Sequence, residues 1–600
     1  MSSAVQSITA ETLLPDLLRE APACRPVLDR YGLAGCGGRY GPHETLGFFA
    51  RAHQIDLDTL LRELREASMA APEPAAYSEG LADTIYKGFF QGGIVAMFTA
   101  GAVFGAVLLA LHAWERDLTL LDYRAAVWAH AHVQIAGWVT LFVMGFAYQA
   151  FPRFKQTRLA RPALAAATLW MMAVGLVVKF FAGLVDQTAM GQTAGGAAGA
   201  LELAAVVCFV WIMAETWRGS EQPRQAWEKY VFAAFGWMIL AFVADIAVFA
   251  ASGRIANDEA WVDFIALYDA PWRDIQLLGF AGGMILGVSQ RFLPFIYGFR
   301  QVPDRVSSWV FWVWNGAVAV AIVSYMAFIG THAVSMAAAW LAAVLAMLAC
   351  AIALPVAMGL YRPCAEADRS LPFIRAAYLW AAVSFVMLAL TPLYSQAVGL
   401  SFSHAWFGAF RHALTVGFIS LMIVGVSSKV TPVLAGVDPA RLGGLGTAFW
   451  LINIGCAMRV GFQVLTDLFG WAFPPAAASA PVEIAGFAVW AWDLRRTWSF
   501  AGEAETETAP GAIEPSSKVA AVLDAHPETA VVFLRYGFDR ILDPLARRTL
   551  ARGVSLAQAC RLRGVDADAF LADLRAAGSQ PERGRLIAIE EIEMTGVRGG

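Results

Sequence analysis

Apolar residues are concentrated along this chain in blocks of about 20 residues, which alternate with short polar loops. A block of that length is what an α-helix needs to cross the ~30 Å hydrocarbon core of a bilayer. Twelve such blocks are present, and they begin near Gly88, Val127, Pro162, Gly196, Tyr230, Trp272, Ser307, His332, Phe373, His404, Gly444 and Ala476. The pattern predicts an all-α polytopic membrane protein with about twelve transmembrane helices, numbered below as spans 1 to 12.

Composition and loop charge agree with this prediction. Of the 600 residues, 58% are hydrophobic and 15% are charged, whereas about a quarter of a soluble protein is charged. The loops on the side of the N-terminus hold 13 Lys and Arg residues, and the opposite loops hold four. Because basic loops stay in the cytoplasm, we expect both termini to be cytoplasmic, in a bacterial cytoplasmic (inner) membrane. Membrane lipid is then an expected partner, and nucleic acid is not.

One helix pattern occurs three times. It begins at His132, Asp274 and His412, with the sequences HVQIAGWVTLFVMGFAYQAFP, DIQLLGFAGGMILGVSQRFLP and HALTVGFISLMIVGVSSKVTP. Each copy has Gly five and thirteen residues after its first position, and Pro twenty residues after it. These copies are spans 2, 6 and 10, so the membrane region is predicted to contain three four-helix repeats. The three first positions should then lie at one depth, near the outer face.

The histidines of the predicted spans all fall in the outer third of the membrane. An ionisable residue within a span usually marks a functional site, and neutral imidazole is a common metal ligand. The candidate metal ligands are therefore His112, His130, His132, His332, His404 and His412. The alternative for His112, His332 and His404 is that each lies at a helix end and faces water or headgroups.

Helix geometry narrows the pairing of these histidines. His130 and His132 point about 200° apart on a helix, so they cannot easily share one metal. The simplest pair is His132 with His412, from equivalent positions on two helices, which could hold a six-coordinate haem iron. The remaining histidines could bind copper, and Arg411 could bind a haem propionate. The other ionisable residues in the spans could move protons or form local pairs; they are Lys179, Glu202, Asp245 and Asp274.

Twelve spans, a threefold repeat and histidines on spans 2 and 10 resemble the catalytic subunit of the haem–copper oxidases and nitric oxide reductases. In that family a low-spin haem lies between spans 2 and 10. The chain departs from the family because spans 6 and 7 contain no histidine, and span 10 lacks a closely spaced pair. The usual dinuclear metal site of the reductases is therefore not expected.

The stretches AHAHVQIAGW and RHALTVGFISLMIVGVSSKVTP resemble the NnrS family more closely, in a region from about Lys87 to Arg496. That family consists of twelve-span membrane proteins that contain haem and copper and are linked to nitric oxide. The resemblance implies haem b, copper and a role in nitric oxide response or detoxification under nitrosative stress. Nitric oxide or a related small molecule would be its ligand. It leaves turnover open; an enzyme of this kind would be a nitric-oxide-handling oxidoreductase.

Two similar soluble modules flank the membrane region, and each contains the tripeptide Arg-Tyr-Gly, at Arg30 and at Arg535. They resemble the N-terminal domain of the iron–sulfur cluster repair di-iron proteins. That family has adjacent cysteines after Tyr-Gly, whereas the first copy here has Cys36 alone, in a glycine loop, and the second has Asp539 and Arg540 nearby. An exposed Cys36 thiol would be redox-active or bind a metal in a dimer; the alternative is an inert thiol on a docking module.

The expected organisation has six segments. They are a small helical cytoplasmic module (1–70), a linker (71–86), the twelve-span membrane domain (87–497), a second linker (498–516), a second helical module (517–579) and a tail (580–600). The leading hypothesis is a haem protein of the NnrS type. The alternatives are a haem-free transporter of metal or a small solute, and a membrane sensor or scaffold. In each case an electron donor or soluble partner would bind at the modules.

Overall fold

The computed structural model describes most of the chain. The described residues are 8–34, 36–69, 80–114, 123–185, 188–255, 258–363, 368–400, 403–506, 513–515, 517, 519–538 and 554–579. Within these ranges the chain is helical and contains no β-strand. The chain forms two compact units, Met1–Thr497 and Trp498–Gly600. The linker residues 71–79 and 507–512, the tail after Ser579, and Asp539 and Arg540 lie outside the described residues.

Eleven helices in the described ranges are long and apolar enough to cross a membrane, which confirms the polytopic all-α fold. Spans 1 to 5 are Leu81–Ala113, Tyr123–Phe154, Pro162–Gly183, Ala189–Arg218 and Glu228–Ser252. Spans 7 to 12 are Asp304–Thr331, Val334–Met358, Leu371–Ala389, His404–Ala435, Gly446–Leu465 and Gly470–Phe500. The predicted span 6 is helical throughout residues 258–297, although it is not one of these eleven.

Spans 2, 6 and 10 share a local irregularity that supports the threefold repeat. Each contains a π-helical segment that begins immediately after His132, Asp274 or His412. The three π segments are Val133–Val139, Ile275–Gly282 and Ala413–Ser420. Such segments are rare in α-helices and are frequent at functional sites. We call the end of the three helices that carries these first positions the histidine end, and the opposite end the proline end.

Helix packing repeats as well. The second glycine of each copy packs closely on the preceding span. A Cβ added at Gly145, Gly287 or Gly425 would lie 2.6, 2.5 or 2.8 Å from the side chain of Phe89, Tyr230 or Ile374. Small residues at such positions let membrane helices approach each other. Two further contacts are equivalent: the indoles of Trp237 and Trp380 donate hydrogen bonds to the Asn315 and Asn453 side-chain oxygens, over 2.8 and 2.9 Å.

The N-terminal module is a small helical bundle packed on the proline end. Its main helices are Leu14–Glu20, Leu46–His53 and Leu57–Met69, and its buried core includes Leu28, Phe49 and Leu64. Four shorter helical segments connect them: Pro22–Cys24, Arg25–Leu28, Asp29–Leu33 and Gly38–Tyr40.

The module is held to the spans by hydrogen bonds at several points. The backbone N–H of Gly37 donates to the Leu434 carbonyl over 3.0 Å, and the Gln156 side chain donates to the His53 carbonyl over 2.9 Å. Cys36 is 5% exposed, which agrees with the alternative of an inert thiol rather than with an exposed, redox-active one. The glycine loop that contains Cys36 packs against the end of span 10.

The second unit contains a module of the same design. Its helices are Val519–Ala525, Ala530–Arg535, Leu556–Arg563 and Ala567–Ser579. In the first module the Tyr31 hydroxyl donates to Glu63 over 2.8 Å, and in the second the Tyr536 hydroxyl donates to Asp573 over 2.9 Å. The two tyrosines belong to the repeated Arg-Tyr-Gly motif, so the motif ties the same two elements together in both copies.

Candidate metal centre

A cluster of four ionisable side chains lies in the first repeat at the histidine end. The Nε2 atom of His132 lies 3.1 Å from one oxygen of Glu202 and 3.2 Å from the other. The Nδ1 atom of His132 lies 3.3 Å from Oδ1 of Asp245, whose Oδ2 is 2.8 Å from Nζ of Lys179. All four side chains are at most 2% exposed. One imidazole is therefore held between two carboxylates inside an apolar helix bundle.

Four different helices bring these side chains together. His132 lies on span 2, at the start of its π segment, and Lys179, Glu202 and Asp245 lie on spans 3, 4 and 5. Two glycines make the space. A Cβ at Gly175 would lie 2.5 Å from Cγ of Glu202, and a Cβ at Gly199 would lie 3.0 Å from Nζ of Lys179. The sequence therefore places small residues where the polar side chains must pass between neighbouring helices.

The charges of this cluster balance when the imidazole is protonated. His132 and Lys179 then oppose Glu202 and Asp245, which is the pairing that buried charges need. One contact in the network is imperfect. His132 Nδ1 and Asp245 Oδ1 face each other at 3.3 Å, yet both buried atoms lack a hydrogen-bond partner among the described residues. The network thus contains a donor–acceptor pair that the protein alone leaves unsatisfied.

The same geometry suits a metal ion. His132, Glu202 and Asp245 each offer one ligand atom, and these atoms all lie within 4.8 Å of one another. Imidazole and carboxylate form a mixed nitrogen and oxygen donor set, which binds divalent first-row transition metals. A metal ion bound there would replace the imidazole proton. It would also give a partner to the two buried atoms that lack one, Nδ1 of His132 and Oδ1 of Asp245. The residues present therefore fit a metal ion.

The third repeat carries equivalent residues in a different arrangement. Arg459 follows Lys179 by the same 280 residues that separate His412 from His132, and Glu483 follows Glu202 by 281. Glu483 is 7% exposed, and its Oε1 atom lacks a hydrogen-bond partner among the described residues. Arg459 interacts electrostatically with both Glu483 and His412 but forms no ion pair within 4.0 Å in the described part of the chain. This cluster is looser than the first.

The second repeat has no histidine at this level. Asp274 occupies the equivalent position and interacts electrostatically with Arg411. Arg273 instead lies 3.5 Å from Asp269, which also accepts a hydrogen bond from the Trp128 indole over 3.0 Å.

The other predicted histidines do not join the first cluster. His130 lies against span 1, with its Nδ1 atom 3.0 Å from the Gly101 carbonyl, and its charge interacts with His412. The exposed members of the set are His112, His332 and His404. His112 stacks on Tyr123 at 5.5 Å between ring centroids, and His332 occupies the turn after span 7.

The haem predicted between His132 and His412 does not fit this arrangement of His132. Both of its ring nitrogens face carboxylates, on spans 4 and 5, so neither is free to ligate an iron shared with span 10. Between the two helices, the Trp138 indole donates to the Ser420 hydroxyl over 3.0 Å. Sequence reasoning named Lys179, Glu202 and Asp245 separately and did not join them to His132. The signal that could have joined them is the recurrence of Lys179 and Glu202 as Arg459 and Glu483.

These features define a polytopic membrane protein with a buried cluster of metal-ligand type. Comparison with family models identifies the family. The model described as "NnrS protein" matches residues 89–498, and the model described as "Domain of unknown function (DUF1858)" matches residues 513–571. The chain therefore belongs to the NnrS family. No curated protein matches the chain.

Proposed function

We propose that this chain is an inner-membrane metalloprotein of the nitric oxide response, with a metal ion bound by His132, Glu202 and Asp245. The observation that supports the proposal is the convergence of three ligand atoms from three spans within 4.8 Å, at a fully buried site. We further propose that the proline end faces the cytoplasm, because the basic loops lie there. The metal would then lie near the periplasmic face, where nitric oxide arrives through the membrane.

Each residue of the cluster has a distinct part in this proposal. His132, Glu202 and Asp245 would each hold the ion with one ligand atom, while Lys179 pairs with Oδ2 of Asp245. Lys179 itself is positioned over the Phe249 ring, 4.2 Å from its centroid. When bound, the ion supplies a coordination position for a small ligand such as nitric oxide. The surrounding apolar side chains exclude water from that position, which strengthens every charge interaction in the site.

Metal content tests this proposal. The full chain is purified in lipid nanodiscs and analysed by inductively coupled plasma mass spectrometry, beside His132→Asn and the matched control His404→Asn, whose histidine is exposed. We expect about one transition-metal ion per chain in the wild type and the control, and at least a ten-fold lower affinity in His132→Asn. Nitric oxide should change the electron paramagnetic resonance spectrum only where metal is bound. Equal metal content in all three proteins would overturn the proposal.

The second candidate function is that of a haem b protein in which His130, instead of His132, binds the iron together with His412. One observation favours it. His130 has its Nδ1 atom on a backbone carbonyl, which is the arrangement that prepares Nε2 to bind a metal. His130 and Arg459 both interact electrostatically with His412. A pyridine haemochrome assay on the same samples decides between the candidates. Haem that is lost in His130→Ala and His412→Ala, and kept in His132→Asn, would support the haem protein. Copper content is measured in the same experiment.

A further inference from the structure

Two adjoining cavities lie between spans 2, 6 and 10 on the side of the proline end. The deeper cavity, of about 100 Å³, is lined almost wholly by apolar side chains of these spans, with Trp227 beside them. The other, of about 90 Å³, lies between the ends of the spans and the N-terminal module. Four side chains line both cavities, and they are Phe90, Phe146, Phe154 and Phe292. The two cavities therefore adjoin each other, and we call them together the chamber, which is apolar at one end and polar at the other.

The polar cavity carries a buried positive charge without a counter-ion. Arg291 is 2% exposed and has no carboxylate within 4.0 Å among the described residues. It donates from Nη2 to the Ala52 carbonyl over 2.9 Å, and its guanidinium lies over the Phe154 ring at 4.8 Å. Its Nε atom has no acceptor in the described part of the chain. A buried, uncompensated guanidinium is strongly unfavourable, so the chamber favours an anion.

The other charges of the cavity do not neutralise Arg291. Lys429 lies at the position of span 10 that corresponds to Arg291, and it is paired with Asp368 at 2.6 Å. Arg153 adds a second guanidinium to the lining. Glu44 and His53 of the N-terminal module also line the cavity, and their burial disfavours the charged form of each. Burial raises the pKa of Glu44 to about 8, and burial with the nearby Arg291 and Arg153 charges lowers the pKa of His53 to about 3.

We propose that this chamber binds a monocarboxylate with a small apolar body, such as a short-chain fatty acid or benzoate. The carboxylate accepts a hydrogen bond from Nε–H of Arg291, since a guanidinium presents planar donors that match it. The apolar body occupies the deeper cavity among the phenylalanines. An apolar cavity of about 150 Å³ holds benzene, and the two cavities measure about 100 and 90 Å³, so together they accept a carboxylate with a body of at most about that size. The proposal is independent of the metal centre at the opposite end.

Binding of radiolabelled hexanoate and benzoate to the full chain in nanodiscs tests the proposal, with empty nanodiscs subtracted. The variant is Arg291→Gln, and the matched control is Arg305→Gln, which removes an exposed arginine from the start of span 7. We expect one bound probe per chain in the wild type and the control, and at least ten-fold weaker binding in Arg291→Gln. The uncharged 1-hexanol should bind the wild type and Arg291→Gln equally. The carboxylate that binds with the higher affinity shows whether the natural ligand is aliphatic or aromatic.

Thermal unfolding separates a binding role of Arg291 from a structural one. Without ligand, Arg291→Gln should unfold at the same temperature as the wild type or higher, because the substitution removes a buried charge without a partner. Hexanoate or benzoate should raise the unfolding temperature of the wild type and leave that of the variant unchanged. Equal probe binding by Arg291→Gln and Arg305→Gln would overturn the proposal. Nitrite that binds as tightly as the carboxylates would also overturn it, because a small oxyanion leaves the apolar cavity unused.

Discussion

The first and third repeats place histidine, a basic residue and glutamate at corresponding positions and arrange them differently. In the first repeat, His132 contacts Glu202 and Asp245, and Lys179 is paired with Asp245. In the third, Glu483 and Arg459 form no ion pair within 4.0 Å among the described residues, and His412 is only half-buried. The difference comes from span 5. The equivalences of Phe89 with Tyr230 and of Trp237 with Trp380 place Phe104 and Leu388 at the positions of Asp245 on spans 1 and 9, and neither is acidic. One added carboxylate therefore converts a loose group of ionisable residues into a closed network.

The largest expected effect comes from opening the closed network. Glu202→Gln leaves the charges of His132 and Lys179 with one carboxylate, and breaking a buried ion pair costs about 3–5 kcal/mol. The control lies on the same helix: Glu215→Gln removes an exposed pair with Arg161, which is worth at most about 1 kcal/mol. Thermal unfolding in nanodiscs, followed by circular dichroism, measures both. Similar unfolding temperatures for the two variants would show that the first cluster is not a tight network.

A smaller effect is expected from the two equivalent glycines that face the glutamates. A Cβ at Gly175 would lie 2.5 Å from Cγ of Glu202, and one at Gly455 would lie 2.4 Å from Cγ of Glu483. Gly175→Ala and Gly455→Ala should each destabilise the protein by about 1–3 kcal/mol, because a close-packed contact becomes too crowded. Only Gly175→Ala should lower the metal content, since only it displaces a proposed ligand. If Gly455→Ala also lost metal, the metal would have to lie in both the first and the third repeat, or in the third repeat alone.

The repeated Trp–Asn hydrogen bonds provide a test of the symmetry itself. Trp237→Phe and Trp380→Phe each remove the indole donor to Asn315 or Asn453. A typical hydrogen bond contributes about 1 kcal/mol, so each variant should lower the unfolding temperature by a similar, modest amount. A large inequality between the two, with intact membrane insertion, would mean that the second and third repeats pack differently at this level.

The smallest effect should come from the glutamate of the third repeat. Glu483→Gln removes an acid that lacks a hydrogen-bond partner on Oε1 in the described structure. Its replacement by a neutral amide of the same size should therefore leave the unfolding temperature unchanged or raise it slightly, in contrast to Glu202→Gln. The same pair of variants is compared for metal content, which only Glu202→Gln should reduce. A strongly destabilised Glu483→Gln would show that the third cluster closes as tightly as the first.

More of the fold than of the candidate metal site could be predicted from the sequence. Apolar block lengths identify the spans, and the shared spacing of Gly145, Gly287 and Gly425 identifies the repeat, because both depend on the order of residues along one helix. The partners of His132 depend on which faces of four helices meet. Its equivalence with His412 suggested that the two histidines face each other, whereas the structure turns His132 towards spans 4 and 5. A repeat fixes the depth of a side chain but not its direction around the helix axis.

The burial of Cys36 could not be predicted for a related reason. The sequence of the glycine loop is typical of an exposed surface loop. Only the packing of the N-terminal module on the membrane spans shows that the loop is buried. Its backbone contact with Leu434 joins segments almost 400 residues apart in sequence, and no local pattern encodes such a contact. The same docking closes the polar cavity that contains Arg291.

The most direct test of the central claim is the X-ray absorption spectrum of the metal bound to the purified full chain. The proposal predicts first-row transition-metal coordination by one imidazole and carboxylate oxygens, and the loss of that signal in Glu202→Gln. A spectrum of iron with four porphyrin nitrogens and two axial imidazoles, unchanged in Glu202→Gln, would contradict it and would favour the haem protein with His130 and His412 as ligands.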